Sequence, residues 1–435
     1  MSEPQVVFFG AGGYARELFG ELNKEYAPVA YGDNDPKKQG TSFMGLPVLS
    51  LEQTETRHPG CRYYITVDFG AKPYVTESLI AGGVDRYRII NFEEYKRYRS
   101  CWQLETCMYY YLMQTQRNLA FCCSDFWKNI SPRIPVVDKL HAATMSNFFS
   151  TRNKIVDELN TSAEVSKENT CNGCRNIKNA LWQTNRRIHL LNFRHRSLCN
   201  FMCSYCKSRY ETIDEYFDAD IDEALSFLRF IKANNIIDAS TTIHLAAGEI
   251  SVHPRRNEIL TELQNFPCWV FTNASIYSEK IGEMLSAGRS RVYVSIDAGT
   301  RNTFAAIKGL DVFDEVCENL LRYSKDGFVH LKYIVIPGVN DNKTDIDEFI
   351  ALCQRIKIRA VDVVRDYYDP AAFSDHTINK IASMLYELRK IGVAASASDN
   401  AFSATPFDQS RIAERLADLT AGPIETASAV MREVT

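Results

Sequence analysis

The second half of the chain, residues 185–435, alternates short apolar segments with longer amphipathic ones. The apolar segments predict β-strands over residues 188–193, 242–246, 268–272, 291–296, 330–336 and 360–365. Between the first two, Asp220 and Glu223 form a capping pattern that opens an amphipathic helix. Because strands that alternate with helices form a parallel sheet, the side chains after each strand should gather at one sheet edge.

Composition limits the functions open to the chain. Its formal net charge is −4 and it has no long Lys or Arg run, so we expect no nucleic-acid partner. The first residues lack a secretory pattern and no stretch approaches about 18 apolar residues, so we expect a cytoplasmic protein with no membrane partner. In that compartment, 13 cysteines indicate metal binding rather than disulfides.

Three cysteines follow the first predicted strand. Cys199, Cys203 and Cys206 have C-x3-C-x2-C spacing. Their thiolates can hold three irons of a [4Fe–4S] cluster, which leaves the fourth iron for a ligand that is not protein. On spacing alone, a zinc knuckle and a redox thiol cluster stay open as alternatives.

Further motifs stand at the following strand ends in chain order. They are Gly248-Glu249, Asn273, Ser295-Ile-Asp297 and the segment 332–341. With the cysteine run, this series resembles the radical S-adenosylmethionine (AdoMet) enzymes. The resemblance implies a partial (β/α)6 barrel of the TIM type over residues 185–435. It also implies that AdoMet chelates the open iron and is cleaved to methionine and a 5′-deoxyadenosyl radical.

The same resemblance assigns cofactor contacts to individual residues. Tyr205 corresponds to the family's adenine-contacting aromatic residue, and Glu249 to the carboxylate that hydrogen-bonds the methionine amino group. The family's usual Gly-Gly-Glu-Pro is altered here at positions 247 and 250. Ser295 and Asp297 correspond to the segment that contacts the AdoMet ribose and carboxylate. The complete implied set is Tyr205, Gly248, Glu249, Asn273, Ser295, Asp297 and, through their backbone at the adenine, Val335 and Ile336.

Polar side chains near the predicted strand ends are candidates for contact with substrate. We predict such catalytic roles for Lys332, His244, Arg365 and Tyr367, and His195 is a further candidate. Arg365 and Tyr367 lie in a polar, aromatic run suited to gripping a sugar or phosphate. A histidine within a strand is more often a hydrogen-bonded core residue, and Lys332 is also compatible with orienting AdoMet.

Residues 1–95 predict a Rossmann-like α/β domain. A short apolar strand leads into the turn Gly10-Ala-Gly-Gly13, a helix follows, and the next strand ends at Asp33. Glycines at such a turn let a phosphate approach the helix N-terminus, and the acidic residue can bond a ribose. The sequence of residues 10–17, 31–36 and 45–49 resembles the nucleotide-sugar-binding domain of bacterial sugar O-acyltransferases. The acyltransferase repeats of those proteins are missing here. A nucleotide or sugar-nucleotide pocket is implied at Gly10, Gly12, Gly13 and Asp33.

Residues 96–184 form an irregular, cysteine-rich segment in which we predict a helix over 108–116. Cys171 and Cys174 form a C-x2-C half-site for zinc or an iron–sulfur cluster. With Cys122 and Cys123 they resemble auxiliary-cluster segments of radical AdoMet enzymes, although those usually follow the barrel. A second [4Fe–4S] cluster, a structural zinc and packed free thiols are the three interpretations.

The functional prediction is an enzyme that abstracts hydrogen from an organic small molecule, leading to oxidation, epimerisation or rearrangement. The N-terminal resemblance favours a sugar nucleotide, glycan or natural-product precursor as substrate. The resemblance also implies an electron donor such as flavodoxin or ferredoxin. Two alternatives stay open: a peptide maturase that cross-links or epimerises a ribosomal peptide, and a non-catalytic iron–sulfur redox sensor.

Overall fold

The chain forms two compact units. One consists of Met1–Thr106 with Phe149–Arg187, and the other of Cys107–Phe148 with Ile188–Thr435. Residues 96–184 contribute to both. The computed structural model describes residues 4–68, 70–113, 116–121, 133–161, 171–174, 176–194, 198–206, 218–246, 248–366, 369, 371–397 and 406–421.

The first unit contains a five-stranded sheet with strand order β3-β4-β2-β1-β5. Its strands are β1 (Val6–Phe9), β2 (Ala30–Gly32), β3 (Ser42–Phe43), β4 (Leu46–Leu49) and β5 (Arg62–Ile65). All pairs are parallel except that of β3 with β4. Its helices are Gly13–Tyr26, Leu51–Arg57, Lys72–Ala81 and Trp102–Thr106. A parallel α/β unit is therefore present at the predicted place, and its Rossmann-like assignment stays a prediction.

Strand β1 is buried on both faces, which explains its unbroken apolar sequence. Val7 and Phe9 pack into one apolar cluster with Tyr63. Phe8 packs on the opposite side with Tyr31. Successive side chains of a strand point to opposite faces, so four apolar residues in a row fill two cores.

An antiparallel ribbon also belongs to the first unit. It pairs β6 (Tyr95–Ser100) with β10 (Lys178–Gln183). The buried Glu105 supports it, because its carboxylate accepts a hydrogen bond of 2.8 Å from the Tyr98 hydroxyl. Arg186 lies 3.3 Å from the same carboxylate.

The second unit is built on a ten-stranded sheet, ordered β17-β16-β15-β14-β13-β12-β11-β7-β8-β9. The strands are β7 (Cys107–Met113), β8 (Gln116–Ala120), β9 (Ile134–Pro135), β11 (Leu190–Arg194), β12 (Thr242–Ala246), β13 (Cys268–Thr272), β14 (Arg291–Ser295), β15 (Phe328–Val335), β16 (Ala360–Arg365) and β17 (Ala394–Ser396). Strand β7 and strands β11 to β17 run parallel, whereas β8 pairs in antiparallel fashion with both β7 and β9. All six predicted strands are present as β11 to β16, and the partial barrel stays a prediction.

The prediction of a helix over residues 108–116 is wrong. Residues Cys107–Met113 form β7, which pairs with β11 in parallel and with β8 in antiparallel fashion. Three consecutive tyrosines, Tyr109 to Tyr111, lie in this strand. Aromatic residues favour strands, and here both neighbouring strands supply partners that sequence periodicity alone does not reveal.

Helices follow most of the strands of the second unit. They are Asp218–Ala233, Arg256–Leu263, Glu279–Ser286, Arg301–Lys308, Phe313–Asp326, Lys343–Ile356, Asp375–Lys390 and Pro406–Ala421, and His141–Thr161 contributes residues to both units. Short 3-10 turns occur at Arg86–Arg88 and Ile250–Val252. Among the helices the structure describes, none combines the length and apolarity of a membrane span.

The sheet of the second unit has two unlike faces. On one face Ile243, Val270 and Val292 are fully buried. On the other face His244 and Tyr293 are half-buried. Parallel sheets are normally covered on both faces, so a partly open face that carries polar and aromatic side chains is a surface on which a ligand can lie.

Candidate functional site

The cysteine loop follows β11 and is fastened to the end of the helix Arg301–Lys308. The Met202 N–H donates to the Lys308 carbonyl at 3.0 Å, and the Ser204 N–H donates to the Ile307 carbonyl at 2.8 Å. Gly309 ends that helix with φ of 71°, and a Cβ there would lie 3.0 Å from the Met202 carbonyl oxygen. The close approach of the loop thus requires a glycine at this position.

The three thiols of this loop are half-buried. Burial raises the pKa of Cys199 to about 11 and also raises the pKa of Cys203. Iron is bound by thiolates, so loading a cluster here releases protons. Within the described residues no group of three or more His, Cys, Asp or Glu side chains is arranged to hold a metal ion. The assignment of these cysteines as cluster ligands therefore rests on their spacing.

Glu249 is fully buried beside the cysteine loop. Its carboxylate accepts hydrogen bonds from the Ser251 N–H at 2.9 Å, the Thr272 hydroxyl at 2.7 Å and the Asn273 N–H. Its own N–H donates to the Leu198 carbonyl at 2.6 Å, which links it to the loop. A carboxylate has about four acceptor positions, so three donors leave one for an amine. Burial raises the pKa of Glu249.

Asn273 joins the end of β13 to the cysteine loop. Its side-chain N–H donates to Asn200 at 2.8 Å, and its side-chain oxygen accepts from both the N–H and the hydroxyl of Ser275, at 2.9 and 2.7 Å. The implied cofactor residue is therefore placed beside the loop, and its amide is already engaged there.

Asp297 is fully buried and accepts three hydrogen bonds from within the chain. The Tyr205 hydroxyl donates at 2.6 Å, the Ile334 N–H donates at 2.7 Å, and the Lys308 ammonium also donates. The structure thus brings Tyr205 and Asp297 together, as one interior network. In this arrangement Asp297 connects the cysteine loop to β15.

Lys308 is the residue of this network that sequence reasoning missed. Besides Asp297, its ammonium donates to the Tyr205 oxygen at 2.8 Å and to the Ser295 carbonyl at 2.6 Å. Lysine is almost never fully buried unless it is paired, and Lys308 is 1% exposed. The available signal was its place at the end of the helix, next to the apolar Ile307.

Two positions after the end of each of three successive strands, β12 to β14, stands a residue with left-handed backbone. Gly248 has φ of 62°, Ala274 has φ of 56° and Asp297 has φ of 58°. For the two non-glycine residues this conformation costs about 1–3 kcal/mol, and such strain clusters at functional sites. Asn340 offsets part of it by donating to the Asp297 carbonyl at 2.9 Å.

The backbone predicted to hold adenine is partly occupied. The Ile336 N–H donates to the Asn340 side chain at 2.7 Å, and its carbonyl accepts from the Val339 and Asn340 N–H groups. Val335 is the last residue of β15 and pairs with Arg365. An adenine contact through Ile336 stays a prediction that these hydrogen bonds do not favour.

Aromatic rings line the half-open face of the sheet. His244 stacks on Trp269 at 4.5 Å, Trp269 on Tyr293 at 5.5 Å, and Tyr293 on His330 at 4.0 Å between ring centroids. Burial lowers the pKa of His244 to about 4, with a contribution from the Arg291 charge. His244 is therefore neutral at physiological pH.

Lys332 lies on the same face, in register with Ser295 on one side and Asp362 on the other. The Asp362 carboxylate lies 3.1 Å from the His330 ring nitrogen and accepts a hydrogen bond of 2.8 Å from the Ser396 hydroxyl. The predicted substrate residues His244 and Lys332 thus share one face with the aromatic rings.

Arg365 needs correction as a substrate residue. It is 3% exposed, and its guanidinium pairs with Asp408 at 3.0 Å and donates to the Asp369 carbonyl at 2.6 Å. These partners fasten the C-terminal helix to β16, so the group is not available to a substrate. Tyr367 and His195 lie outside the described residues.

The glycines of the turn in the first unit differ in whether the structure requires them. A Cβ on Gly10, whose φ is 116°, would lie 2.3 Å from Val67, so packing requires glycine there. A Cβ on Gly12 or Gly13 meets nothing within 4 Å. The Asp33 carboxylate accepts from the Ala11 N–H at 2.8 Å. Nucleotide binding at this turn stays a prediction.

Cys171 and Cys174 lie in a turn of the first unit, where the Cys174 N–H donates to the Cys171 carbonyl at 3.1 Å. Both are half-buried. Cys122 and Cys123, their proposed partners, lie outside the described residues. The choice between an auxiliary cluster, zinc and free thiols stays open.

Residues 194–353 match the model of the radical SAM superfamily, in which SAM is AdoMet. This segment of the second unit therefore matches a radical SAM domain. This match confirms the predictions of an enzyme and of a [4Fe–4S] cluster and AdoMet as its cofactors.

Two curated relatives carry related names. GTP 3′,8-cyclase of Vibrio cholerae serotype O1 is 24% identical over 208 residues, which cover 45% of this chain and 60% of the relative. A probable GTP 3′,8-cyclase of Saccharolobus islandicus is 26% identical over 170 residues, or 38% of this chain and 53% of the relative. The chain thus spans little more than half the length of these relatives.

Solved structures give weaker similarities. Streptococcus suis SuiB bound to S-adenosylmethionine has a TM-score of 0.40 and 13% identity, and the match covers 62% of this chain and 56% of SuiB. Native anSMEcpe with bound AdoMet has a TM-score of 0.36 and 15% identity, with coverage of 48% and 63%. Scores this low support no conclusion about this chain.

Proposed function

We propose that the chain is a radical AdoMet enzyme whose substrate lies on the half-open face of the ten-stranded sheet. The observation that carries this proposal is the convergence of the cysteine loop, Glu249 and Asp297 at neighbouring strand ends, beside a face lined by stacked aromatic rings. When bound, the cluster and AdoMet supply one-electron chemistry that removes a hydrogen atom from carbon.

Three features of the described residues support this proposal. Glu249 has one acceptor position left for an amine after its three protein donors are counted. The Tyr205 hydroxyl donates its one hydrogen to Asp297, which fixes the position of the ring, and burial raises the pKa of this hydroxyl well above the usual value. A neutral His244 and the Lys332 ammonium border the space where a substrate would lie.

We further propose a small molecule with a nucleotide part as the substrate. The relatives are named for a reaction of GTP, and stacked rings beside a lysine suit a base and an anionic group. A sugar nucleotide is the more specific form, and it rests on the N-terminal resemblance alone. Oxidation, epimerisation and rearrangement are the outcomes compatible with hydrogen abstraction.

The test is AdoMet cleavage by anaerobically reconstituted protein, with flavodoxin, ferredoxin or dithionite as reductant. The assay measures 5′-deoxyadenosine with GTP, UDP-sugars or an unrelated peptide mixture. We expect a nucleotide to stimulate cleavage and, when deuterated at the reacting carbon, to transfer deuterium to 5′-deoxyadenosine. Stimulation by peptide alone would replace the substrate proposal with the peptide-maturase alternative. Absence of any cleavage would revive the redox-sensor alternative.

A further inference from the structure

A row of polar side chains crosses part of the half-open face of the ten-stranded sheet. Paired in register on β14 to β17, and all half-buried, its members are Ser295, Lys332, Asp362 and Ser396. Side chains in register on neighbouring strands point to the same face, and so do residues two apart along one strand. The row therefore shares its face with His330, the histidine whose ring ends the aromatic stack 4.0 Å from Tyr293.

Asp362 is a carboxylate with acceptor positions to spare. Its side chain is 25% exposed and lies 3.1 Å from the His330 Nε2 atom. It accepts one hydrogen bond, of 2.8 Å, from the Ser396 hydroxyl. A carboxylate has about four acceptor positions, so about two remain when both neighbours are counted. Burial raises the pKa of Asp362, but the neighbouring His330, Ser396 and Lys332 outweigh that effect and lower it, so the group is ionised at physiological pH.

Two polar atoms beside Asp362 have unused hydrogen-bonding capacity. The Lys332 ammonium has no hydrogen-bond or ion-pair partner among the described residues. His330 is 9% exposed, and its Nε2 atom makes no hydrogen bond within the same part of the chain, because its position beside Asp362 does not meet hydrogen-bond geometry. Buried polar groups are normally hydrogen-bonded, so unused capacity on an open face points to a ligand.

The charges of Asp362 and Lys332 limit what can bind beside Asp362. A phosphate or carboxylate has no hydrogen to donate to Asp362 and is repelled by its charge. An amine is repelled by Lys332, whose strand neighbours that of Asp362. A neutral group that donates and accepts hydrogen bonds suits both side chains, and sugar hydroxyls and the amide edge of a base are such groups.

We infer that Asp362 is a specificity residue that accepts hydrogen bonds from a neutral sugar hydroxyl or base edge of the substrate, while Ser396 holds its carboxylate in place. The inference deepens the proposed function and rests on the nucleotide proposed there as substrate. Lys332 has three N–H donors, so it can hold the proposed anionic group on its Ser295 side and this neutral group on its Asp362 side.

The experiment measures nucleotide binding by calorimetry, using anaerobically reconstituted protein with AdoMet and no reductant. The probes are GTP, 2′,3′-dideoxy-GTP, which lacks both sugar hydroxyls, and purine riboside 5′-triphosphate, whose base has no N–H donor. Wild type should bind GTP about tenfold more tightly than one of the two analogues, the effect of one hydrogen bond to a charged group. The disfavoured analogue identifies whether the sugar or the base lies at Asp362.

The variants assign this preference to Asp362. Asp362→Ala should reduce it to less than about threefold by weakening GTP alone. Asp362→Asn, which keeps the shape but loses the charge, should give an intermediate preference and decides the matter if Asp362→Ala does not fold. The matched control is Asp347→Ala, because the Asp347 side chain is 55% exposed and pairs with Lys343 on a helix. This control should keep the wild-type preference.

Three results would overturn the inference. One is wild type that binds all three nucleotides equally or binds none of them. Another is a preference that survives in both Asp362 variants, since the nucleotide would then bind elsewhere. The third is equal tightening of all three nucleotides in Asp362→Asn, since Asp362 would then only repel phosphates. Binding is measured without a reductant, so failure of the AdoMet cleavage assay and failure of this inference are distinguishable.

Discussion

Each unit places a buried or nearly buried aspartate at a strand end, and the two aspartates differ in what surrounds them. Asp33, after β2, accepts from the Ala11 N–H and pairs with Lys38 at 3.0 Å. Asp297, after β14, pairs with Lys308. The lysine side chain is 42% exposed in the first pair and 2% exposed in the second.

The exposure of the lysine decides whether the aspartate in each ion pair can change its partner. An exposed partner contributes at most about 1 kcal/mol and can move away when a ligand arrives. A buried pair cannot lose one member without leaving an uncompensated charge, which costs about 3–5 kcal/mol. Asp33 therefore keeps the freedom to exchange its partner for a ligand, whereas Asp297 is committed to the chain.

The largest expected effect extends the comparison to the cysteines of the two units. The variant Cys199→Ala/Cys203→Ala/Cys206→Ala should abolish AdoMet cleavage, because no thiolate of the loop remains to hold iron. The double variant Cys171→Ser/Cys174→Ser leaves the cysteine loop after β11 intact. Iron analysis should give about eight irons per chain in wild type and about four in each variant if an auxiliary cluster is present.

A wild-type content of about four irons that the triple variant abolishes would remove the auxiliary cluster from consideration. Zinc analysis of the Cys171 and Cys174 variant would then distinguish a zinc site from free thiols. Full AdoMet cleavage in the triple variant would contradict the assignment of the cluster to this loop.

The second effect is on stability. Asp297→Asn should lower the free energy of unfolding by about 3–5 kcal/mol, because Lys308 then keeps a buried charge without its counterion. Urea denaturation of the apo protein measures the change. Asp297→Asn combined with Lys308→Met should recover a large part of the loss. A loss below about 1 kcal/mol in the single variant would mean that the pair behaves like an exposed one.

The strands of the second unit and the ion pairs at their ends differ in how far the sequence could predict them. The strands are local patterns, so β11 to β16 formed as predicted, and Glu249 and Asp297 follow the ends of β12 and β14. Burial of a side chain depends on what packs over it. Lys308 and Arg365 are both buried in ion pairs. Their partners, Asp297 and Asp408, lie 11 and 43 positions away in sequence, and neither spacing reveals the pair.

Strand β7 shows the same limit for secondary structure. Its sequence is compatible with a helix face, and its strand conformation depends on pairing with β11, which lies far along the chain. Aromatic content was the only local signal for a strand. Long-range pairing, which sequence spacing does not encode, decided the outcome.

The third prediction uses the histidine of the aromatic stack. The pKa of His244 is lowered from 6.5 to about 4, so the folded state binds fewer protons than the unfolded state between these values. Wild type should therefore lose stability as pH falls through this window, by about 1–2 kcal/mol for a half-buried ring. His244→Phe keeps a ring in the stack and should remove this part of the pH dependence. Identical pH profiles of the free energy of unfolding would show that His244 titrates as it does in the unfolded chain.

The smallest expected effect belongs to the first unit. Asp33→Asn keeps an acceptor for the Ala11 N–H and loses only the pair with Lys38, so unfolding free energy should fall by less than about 1 kcal/mol. If the glycine turn binds a nucleotide through Asp33, the same variant should weaken UDP-sugar binding, measured by calorimetry, several times more than Lys38→Met does. A larger stability loss in Asp33→Asn than in Asp297→Asn would invert the comparison between the two aspartates. Wild-type protein that binds no nucleotide would remove the ligand role of this turn, while the difference in stability between the exposed and the buried pair would still hold.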